Sequence, residues 1–325
     1  MALLSASGPL RGATPSGWLL VANKNDQSLG IVDPVTNRQV ASIPVGGVTG
    51  HEVIASPDGS RAYVPIYGNA GVGRPGSDGR TLAVIDLATR AVVQTLDFGH
   101  GVRPHHPLFG PKDGLLYVTA ELDDAVSVID PKTLRIVGSV PTGKPESHML
   151  AITRDGKRGY TANVGSGTVS ALDLEKRTTL AVIPVSKVVQ RISLSVDDRL
   201  AFTSDQAEPR LVAISTATNT IERTLPLPAP GYGTATTEDG RWLVVPMPKA
   251  NKVAVVDLRE WSVAHVIDVP KAPQEALVRP DGKIAYVSCD ASGQVAAIRT
   301  SDWKVETLIT AGKYADGLAW AATGR

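Results

Sequence analysis

The sequence predicts an all-β protein with the architecture of a seven-bladed β-propeller, in which every blade is a four-stranded antiparallel sheet. Short apolar runs alternate with turn residues along the chain, and this pattern recurs at a constant period. The last repeat has one strand, whereas the N-terminus supplies three strands without a first. We therefore expect the C-terminal inner strand to join the three N-terminal strands and close the ring, which leaves few exposed strand edges.

The repeating unit is clearest over residues 103–143. Four short apolar runs rich in Val, Ile and Tyr occur there, and the gaps between them contain Gly, Pro and Asp. Runs of this length, separated by such residues, are typical of antiparallel strands joined by tight turns. No stretch shows apolar residues at helical spacing over the length that a helix needs, and the 23 prolines and 31 glycines fall in the turns.

The period is measured from the turn that follows the first strand of each unit. Stepping back seven positions from a fixed residue of that turn gives one residue per blade: His51, His106, His148, Gln190, Tyr232, Gln274 and Asp316. Their separations are 55, 42, 42, 42, 42 and 42 residues. The longer first step indicates an insertion, which is the glycine-rich segment between residues 67 and 80.

Residues 1–17 are predicted to form a flexible N-terminal tail, and residues 18–325 a single propeller domain. The three N-terminal strands are expected at 18–23, 28–33 and 40–45, and their missing partner at 317–322. The tail does not contain an intact secretion signal, and no apolar run is long enough to span a membrane.

Composition argues against several classes of function. The chain has 325 residues, of which 42% are hydrophobic and 20% charged, and its formal net charge is +1. Nucleic-acid binding needs a concentrated basic face, so no nucleic-acid partner is expected from this balance. The single cysteine, Cys289, excludes an internal disulfide and a zinc site built on cysteines.

Several motifs resemble the YVTN-type β-propeller repeat family. They are Tyr117-Val118-Thr119, the related runs at 160–163 and 286–288, and the Asp-Pro-x-Thr turns that follow the third strands. The resemblance covers the chain from about residue 18 and implies a soluble, often exported or periplasmic protein whose relatives have varied functions. The turn aspartates are expected to bond turn amides, and Ser215 and Arg299 depart from the pattern.

Residues at the same repeat position are expected to form one ring at a mouth of the central channel. Three of the six histidines, His51, His106 and His148, occupy consecutive positions of that ring. Three converging imidazoles are typical of a transition-metal site with an open coordination position, so copper, zinc or iron is the expected cofactor. Asp316, next to His51 across the ring closure, is expected to ligate the metal or to orient an imidazole.

The remaining candidate residues surround this ring. Tyr232, Glu146 and Arg191 are the predicted catalytic groups. Loops that open on the same mouth supply a predicted pocket for a small-molecule ligand, lined by Arg103, His105, Gln190, Gln274, Tyr67 and Glu121. An error of one residue in the register would exchange His106 for His105.

Three functions remain open at this stage. The first is a metalloenzyme, whose chemistry is hydrolytic, lyase-like or redox. The second is a metal-free enzyme that resembles seven-bladed lactonases and lyases and uses His, Glu and Arg side chains. The third is a propeller that binds a ligand or protein without chemistry; polar residues that only line a water-filled channel would also explain the ring. The sequence indicates no oligomeric state.

Overall fold

The computed structural model of the protein describes residues 16–47, 51–69 and 71–323, whose strands form seven four-stranded antiparallel sheets. The innermost strand of each sheet contacts the innermost strands of both neighbouring sheets, and the last contacts the first. The sheets are therefore the blades of a closed ring, and the predicted seven-bladed propeller is confirmed. The division into a tail and one domain stays a prediction, because residues 1–15 and 324–325 lie outside the described residues.

Six blades are continuous in sequence and run from the innermost strand to the outermost. Blade 1 consists of β4 (Ile54–Ala55), β5 (Arg61–Gly68), β6 (Asp78–Asp86) and β7 (Ala91–Asp97). Blade 2 consists of β8 (Pro104–Phe109), β9 (Leu116–Ala120), β10 (Ala125–Asp130) and β11 (Arg135–Pro141). Blade 3 consists of β12 (Ser147–Ile152), β13 (Arg158–Asn163), β14 (Thr168–Asp173) and β15 (Thr178–Pro184). Blade 4 consists of β16 (Ile192–Leu194), β17 (Leu200–Asp205), β18 (Arg210–Ser215) and β19 (Thr220–Pro226). Blade 5 consists of β20 (Ala235–Thr236), β21 (Trp242–Met247), β22 (Lys252–Asp257) and β23 (Ser262–Asp268). Blade 6 consists of β24 (Pro273–Val278), β25 (Ile284–Cys289), β26 (Gln294–Arg299) and β27 (Lys304–Thr310). Short 3-10 helices follow four of the second strands, at Glu121–Asp123, Val164–Ser166, Pro248–Ala250 and Asp290–Ser292.

The seventh blade joins the two ends of the described chain. Its inner strand is β28 (Ala315–Ala322), which pairs with β1 (Gly17–Asn23), followed by β2 (Ser28–Asp33) and β3 (Arg38–Pro44). The predicted closure is confirmed, and β1 begins one residue before the predicted start of the domain.

The apolar core lies between neighbouring blades. The second and third strands of the blades are buried along most of their length, whereas an outermost strand such as β7 buries only Leu96. Clusters of buried side chains span adjacent blades, as where Tyr160 of blade 3 packs in one cluster with Val212 of blade 4. Burial of this apolar area is the main force that holds the blades together.

The turn aspartates have the structural role that the repeat predicts. Five aspartates at the end of third strands each accept a hydrogen bond of 2.7 to 2.9 Å from a backbone amide of the following turn: Asp33, Asp86, Asp130, Asp173 and Asp257. At one departure from the pattern, Arg299 instead donates two hydrogen bonds to Asp302. The described part of the chain contains no helix long and apolar enough to cross a membrane.

Candidate functional site

The predicted site residues lie at one end of the ring, which we call the mouth. It is the end at which the inner strands begin and the second strands finish. Because these strands are antiparallel, Ser147 pairs with Asn163 and Pro273 pairs with Cys289. The loops before the inner strands and after the second strands therefore meet at the mouth.

Four inner strands have an irregular register at the mouth. β8 pairs Pro104 with Ala120 and Pro107 with Val118, so it has one more residue there than its partner. Similar irregularities occur in β12, β24 and β28. A β-bulge of this kind changes the direction in which side chains point. In blade 2 it determines which of two adjacent histidines joins the other imidazoles.

The histidine cluster consists of His51, His105 and His148, together with the ring of Tyr67. The centroids of His105 and His148 lie 3.5 Å apart, and those of His51 and His105 lie 5.3 Å apart. The Tyr67 ring is 4.7 Å from His51 and 5.5 Å from His105. His105 belongs to the predicted pocket, and here it occupies the place that the repeat position assigns to His106.

His106 makes different contacts. Its Nδ1 accepts a hydrogen bond of 3.1 Å from the amide of Leu150 in the next blade, and its own amide donates to Thr119 Oγ1 at 2.8 Å. The structure thus brings two of the three predicted imidazole ligands, His51 and His148, to the cluster, and His106 bonds to a neighbouring strand.

Three buried histidines, His51, His105 and His106, are held in the neutral form. Burial lowers the pKa of His51 and of His106 to about 3, with a further contribution from the positive charges of Lys24 and Arg191 respectively. Burial likewise places the pKa of His105 well below its usual range. These side chains therefore remain uncharged at neutral pH, as metal ligands or proton acceptors must be.

Glu121 connects the cluster to Tyr67. Its side chain is fully buried; Oε1 contacts Nδ1 of His148, and Oε2 accepts a hydrogen bond of 2.5 Å from the Tyr67 hydroxyl. Burial, followed by the charge of Glu121, raises the pKa of Tyr67, which remains a proton donor. A carboxylate that accepts from Nδ1–H leaves Nε2 of a neutral imidazole as the free acceptor.

The second feature of the mouth is an ion-pair network around Arg191, whose side chain is 3% exposed. Nη2 lies 2.8 Å from Glu52 Oε1 and 2.9 Å from Asp316 Oδ1, and Nη1 lies 3.6 Å from Glu275 Oε2. The guanidinium carbon is 5.1 Å from the ring centroid of Tyr232. Nε and Nη1 form no hydrogen bond with a described residue, although both are buried.

Lys24 extends this network. Its Nζ lies 3.0 Å from Asp316 Oδ2 and 3.1 Å from Asp290 Oδ2. Burial alone would raise the pKa of Asp316, but the charges of Lys24 and Arg191 outweigh it and lower the pKa to about 2. Each carboxylate oxygen of Asp316 thus contacts a cation, so this predicted metal ligand is engaged in ion pairs.

Glu52 and Glu275 complete the network as two neighbouring carboxyl groups that both contact Arg191. Burial raises the pKa of both carboxyl groups, and the mutual proximity of the two groups raises that of Glu52 further. Glu275 Oε2 also accepts a hydrogen bond of 2.7 Å from the amide of Leu318. The pair therefore retains a proton at a pH where an exposed glutamate would be ionised.

The insertion of blade 1 packs over the histidine side of the mouth. Arg103 donates to Asp78 Oδ1 at 2.7 Å and to the carbonyl oxygens of Arg74 and Gly71 at 2.9 and 3.4 Å. Gly73 lies against Glu146, since a Cβ atom at that glycine would be 2.9 Å from Glu146 Oε1. Burial, and then the charge of Glu121, raises the pKa of Glu146.

The remaining predicted residues lie at the other side of the mouth. Tyr232 and Gln274 line a pocket there, and Gln190 precedes Arg191 in a half-buried position. Burial raises the pKa of Tyr232 to about 12. Sequence reasoning missed Lys24 and Asp290. Both come directly after the second strand of a blade, as Glu121 does, and this shared position could have identified them as residues of the mouth.

The predicted metal ligands do not converge on one point. His106 bonds to the Leu150 amide, and both oxygens of Asp316 contact cations. Among residues 16–47, 51–69 and 71–323, no group of three His, Cys, Asp or Glu side chains is arranged to hold a metal ion. Nδ1 of buried His105 has no hydrogen-bond partner among the described residues.

Comparison with known proteins supports the fold and leaves the finer family open. No family model matches the sequence. The uncharacterized proteins YncE of Salmonella typhi and Salmonella typhimurium are each 24% identical to the chain over 212 residues. The match covers 62% of this chain and only 60% of each relative. The assignment to YVTN-type repeats stays a prediction.

A solved structure of Kuenenia stuttgartiensis hydrazine synthase has the same fold. Its chain superposes with a TM-score of 0.75 at 20% identity, and the match covers 90% of this chain and 99% of that one. At this level of identity the likeness concerns the propeller scaffold alone.

Proposed function

We propose that the protein is an enzyme that acts on a small molecule at the mouth of the propeller, with His148 as the proton acceptor. The observation that carries this proposal is the buried chain from Tyr67 through Glu121 to His148. A carboxylate that fixes one imidazole nitrogen leaves the other oriented as a general base. The reaction class is proton abstraction, in which the base acts on the substrate itself or on an attacking water, as in lyases or lactonases.

The ion-pair network supports the same chemistry. Three carboxyl groups hold Arg191 in one orientation, and its Nε and Nη1, which form no hydrogen bond with a described residue, remain available as donors. Buried donors that are fixed in advance stabilise negative charge that develops during a reaction. Arg191 therefore has the role of an electrostatic partner, and Tyr232 and Glu146 are candidate proton donors at the edge of the site.

Turnover assays test this proposal. A panel of lactones and sugar-acid esters is offered to the wild type, His148→Asn and Glu121→Gln, with His265→Asn as the matched control because His265 is exposed on an outer strand. Loss of the base is expected to lower the rate by about 10²–10⁴-fold, and loss of its partner by about 10–100-fold. Turnover that survives both substitutions would contradict the proposal.

A transition-metal site is the second candidate, and the close approach of three imidazoles favours it. His51, His105 and His148 would hold the ion, and Glu121 would orient His148 through Nδ1. A metal bound there would supply Lewis-acid or redox chemistry. The imidazoles would have to rotate to bring their free nitrogens to one point, because no three such side chains among the described residues are arranged to hold an ion.

Elemental analysis tests the metal site. Protein purified without a histidine tag is compared with His105→Ala and His106→Ala. Stoichiometric metal that is lost in the first variant and retained in the second is the result expected for the observed cluster. Loss in the second variant alone would favour the ligand set of the repeat position. Activity that is unaffected by a strong chelator, with no metal in the wild type, would leave the acid–base proposal alone.

A further inference from the structure

A separate pocket opens at the mouth on the side away from the histidine cluster. Its volume is about 280 Å³, and it is lined by Lys24, Gln206, Pro230, Gly231, Tyr232, Pro248, Lys249 and Gln274. This volume lies just below the usual range for ligand pockets, which indicates a small molecule or one end of a larger one. Tyr232 connects the pocket to the ion-pair network, because its ring packs against Arg191.

Every polar side chain that lines this pocket carries a hydrogen-bond donor. Two lysines, two glutamines and a tyrosine supply its polar side chains, and no Asp or Glu is among them. Lys249 is exposed and forms no ion pair with a described residue, and Nε2 of Gln206 is buried without a hydrogen-bond partner in the described part of the chain. A buried donor without an acceptor costs free energy that a bound acceptor would recover.

The positive charges of the pocket differ in availability. Lys24 forms ion pairs with Asp316 and Asp290, so its charge is already compensated within the protein. Lys249 therefore supplies the available positive charge, and the Gln206 amide supplies the unsatisfied donor. An anionic group with several acceptor oxygens satisfies both, whereas a cation would find no carboxylate among the lining residues.

We propose that this pocket, which we call the anion pocket, binds the carboxylate or phosphate group of a small molecule, with Lys249 and Gln206 as its main contacts. The inference deepens the proposed function, on which it rests: the anion pocket holds the charged end of the substrate while His148 acts at the other end. Tyr232 is a contact at the boundary of the two regions.

Binding of two simple anions tests the inference without requiring turnover. Inorganic phosphate and acetate are titrated at constant ionic strength, and the side-chain amide resonances of Gln206 and Gln274 are followed by NMR. A saturable shift of the Gln206 amide by either anion is expected. A response to phosphate alone identifies a phosphate group as the ligand chemistry, and a response to acetate identifies a carboxylate.

Substitutions separate the anion pocket from general attraction to the mouth. Lys249→Gln and Gln206→Leu are each expected to weaken anion binding by about tenfold, the usual effect of losing one charge-assisted hydrogen bond. Lys144→Gln is the control, since Lys144 lies on a mouth loop and does not line the anion pocket. His148→Asn should retain anion binding, so a failure of the proposed reaction is distinguished from a failure of this inference.

The inference is overturned if neither anion shifts the Gln206 resonance at concentrations well above millimolar. It is also overturned if Lys144→Gln weakens binding as much as Lys249→Gln does. If Gln206→Leu fails to fold, the Lys249→Gln result decides the matter, because Lys249 is exposed and its substitution does not disturb the core.

Discussion

The imidazoles at the mouth differ in what their ring nitrogens contact. His148 has one nitrogen fixed by Glu121, whereas Nδ1 of His105 has no partner among the described residues. Nδ1 of His106 accepts from a backbone amide. The three imidazoles are therefore chemically different, and of His105, His106 and His148 it is His148 that has the carboxylate partner that a general base needs.

Neutral buried histidines make stability depend on pH. An unfolded histidine binds a proton near pH 6.5, whereas the pKa values of folded His51 and His106 are about 3. Between these values the unfolded state holds more protons, so the free energy of unfolding is expected to fall as the pH is lowered. By pH 4.5 the loss should reach roughly 2–3 kcal/mol for each histidine.

Two carboxyl groups act in the opposite direction. The raised pKa values of Glu52 and Glu275 favour folding at low pH and lose that contribution as the pH rises. The buried neutral histidines are more numerous (His51, His105 and His106), so the free energy of unfolding should still fall as the pH is lowered.

Denaturant unfolding at pH 4.5, 5.5 and 6.5 measures this dependence of the unfolding free energy on pH. The dependence should be weaker in His106→Asn and unchanged in His265→Asn. An unchanged dependence in His106→Asn would contradict the buried neutral state of His106.

At the level of single elements, the bulge in β8 explains the main difference between the predicted and observed site. The 42-residue period predicts the mouth and the aligned positions correctly, because turns and apolar runs are visible in the sequence. It assigns His106 to the ring, but the extra residue between Pro104 and Pro107 brings His105 to the cluster instead. A bulge alters side-chain direction without altering the repeat length.

The contacts of the ion-pair network could not be predicted from the sequence. Arg191 and Asp316 were expected at the mouth, but their contact joins blades 4 and 7 across it. Lys24 reaches the same carboxylate from the loop after β1. Such contacts depend on the directions and lengths of side chains from different blades, which a repeat pattern does not specify.

The insertion of blade 1 depends on Arg103 for its position. Arg103 donates hydrogen bonds to Gly71, Arg74 and Asp78, so Arg103→Gln is expected to release the segment around residues 71–78. Limited proteolysis and hydrogen exchange should then show faster cleavage and exchange in this segment, with the rest of the chain unchanged.

Arg80→Gln is the matched control for this change. Arg80 pairs with Asp97 at 2.7 Å on the exposed surface near the other end of the insertion. Its loss should leave the segment protected, because exposed ion pairs contribute little. Equal protection in wild type and Arg103→Gln would mean that the insertion is held by contacts other than those of Arg103.

For the whole molecule, closure of the ring through β1 and β28 should be the most sensitive structural feature. Leu19 of β1 is fully buried in a cluster that includes Tyr286 of blade 6 and Leu318 of β28. Leu19→Ala is expected to lower the free energy of unfolding by about 2–5 kcal/mol. Val35→Ala, at a side chain that is 72% exposed, should change it by less than about 0.5 kcal/mol.

Chemical denaturation followed by tryptophan fluorescence measures both values. A single cooperative transition that shifts in Leu19→Ala and not in Val35→Ala supports a ring that unfolds as one unit. Loss of the closing blade alone, seen as a separate early transition, would show that the other six blades are stable without closure.

The central claim is that Glu121 accepts a hydrogen bond from Nδ1–H of His148, which leaves Nε2 as the ring nitrogen available to a substrate. The measurement that tests it most directly is ¹⁵N NMR of histidine-labelled protein at pH 7, compared with Glu121→Gln. We expect a hydrogen-bonded Nδ1 proton on His148 in the wild type and the loss of that hydrogen bond in the variant. A His148 protonated on Nε2 alone, or a signal that is identical in the variant, would contradict it.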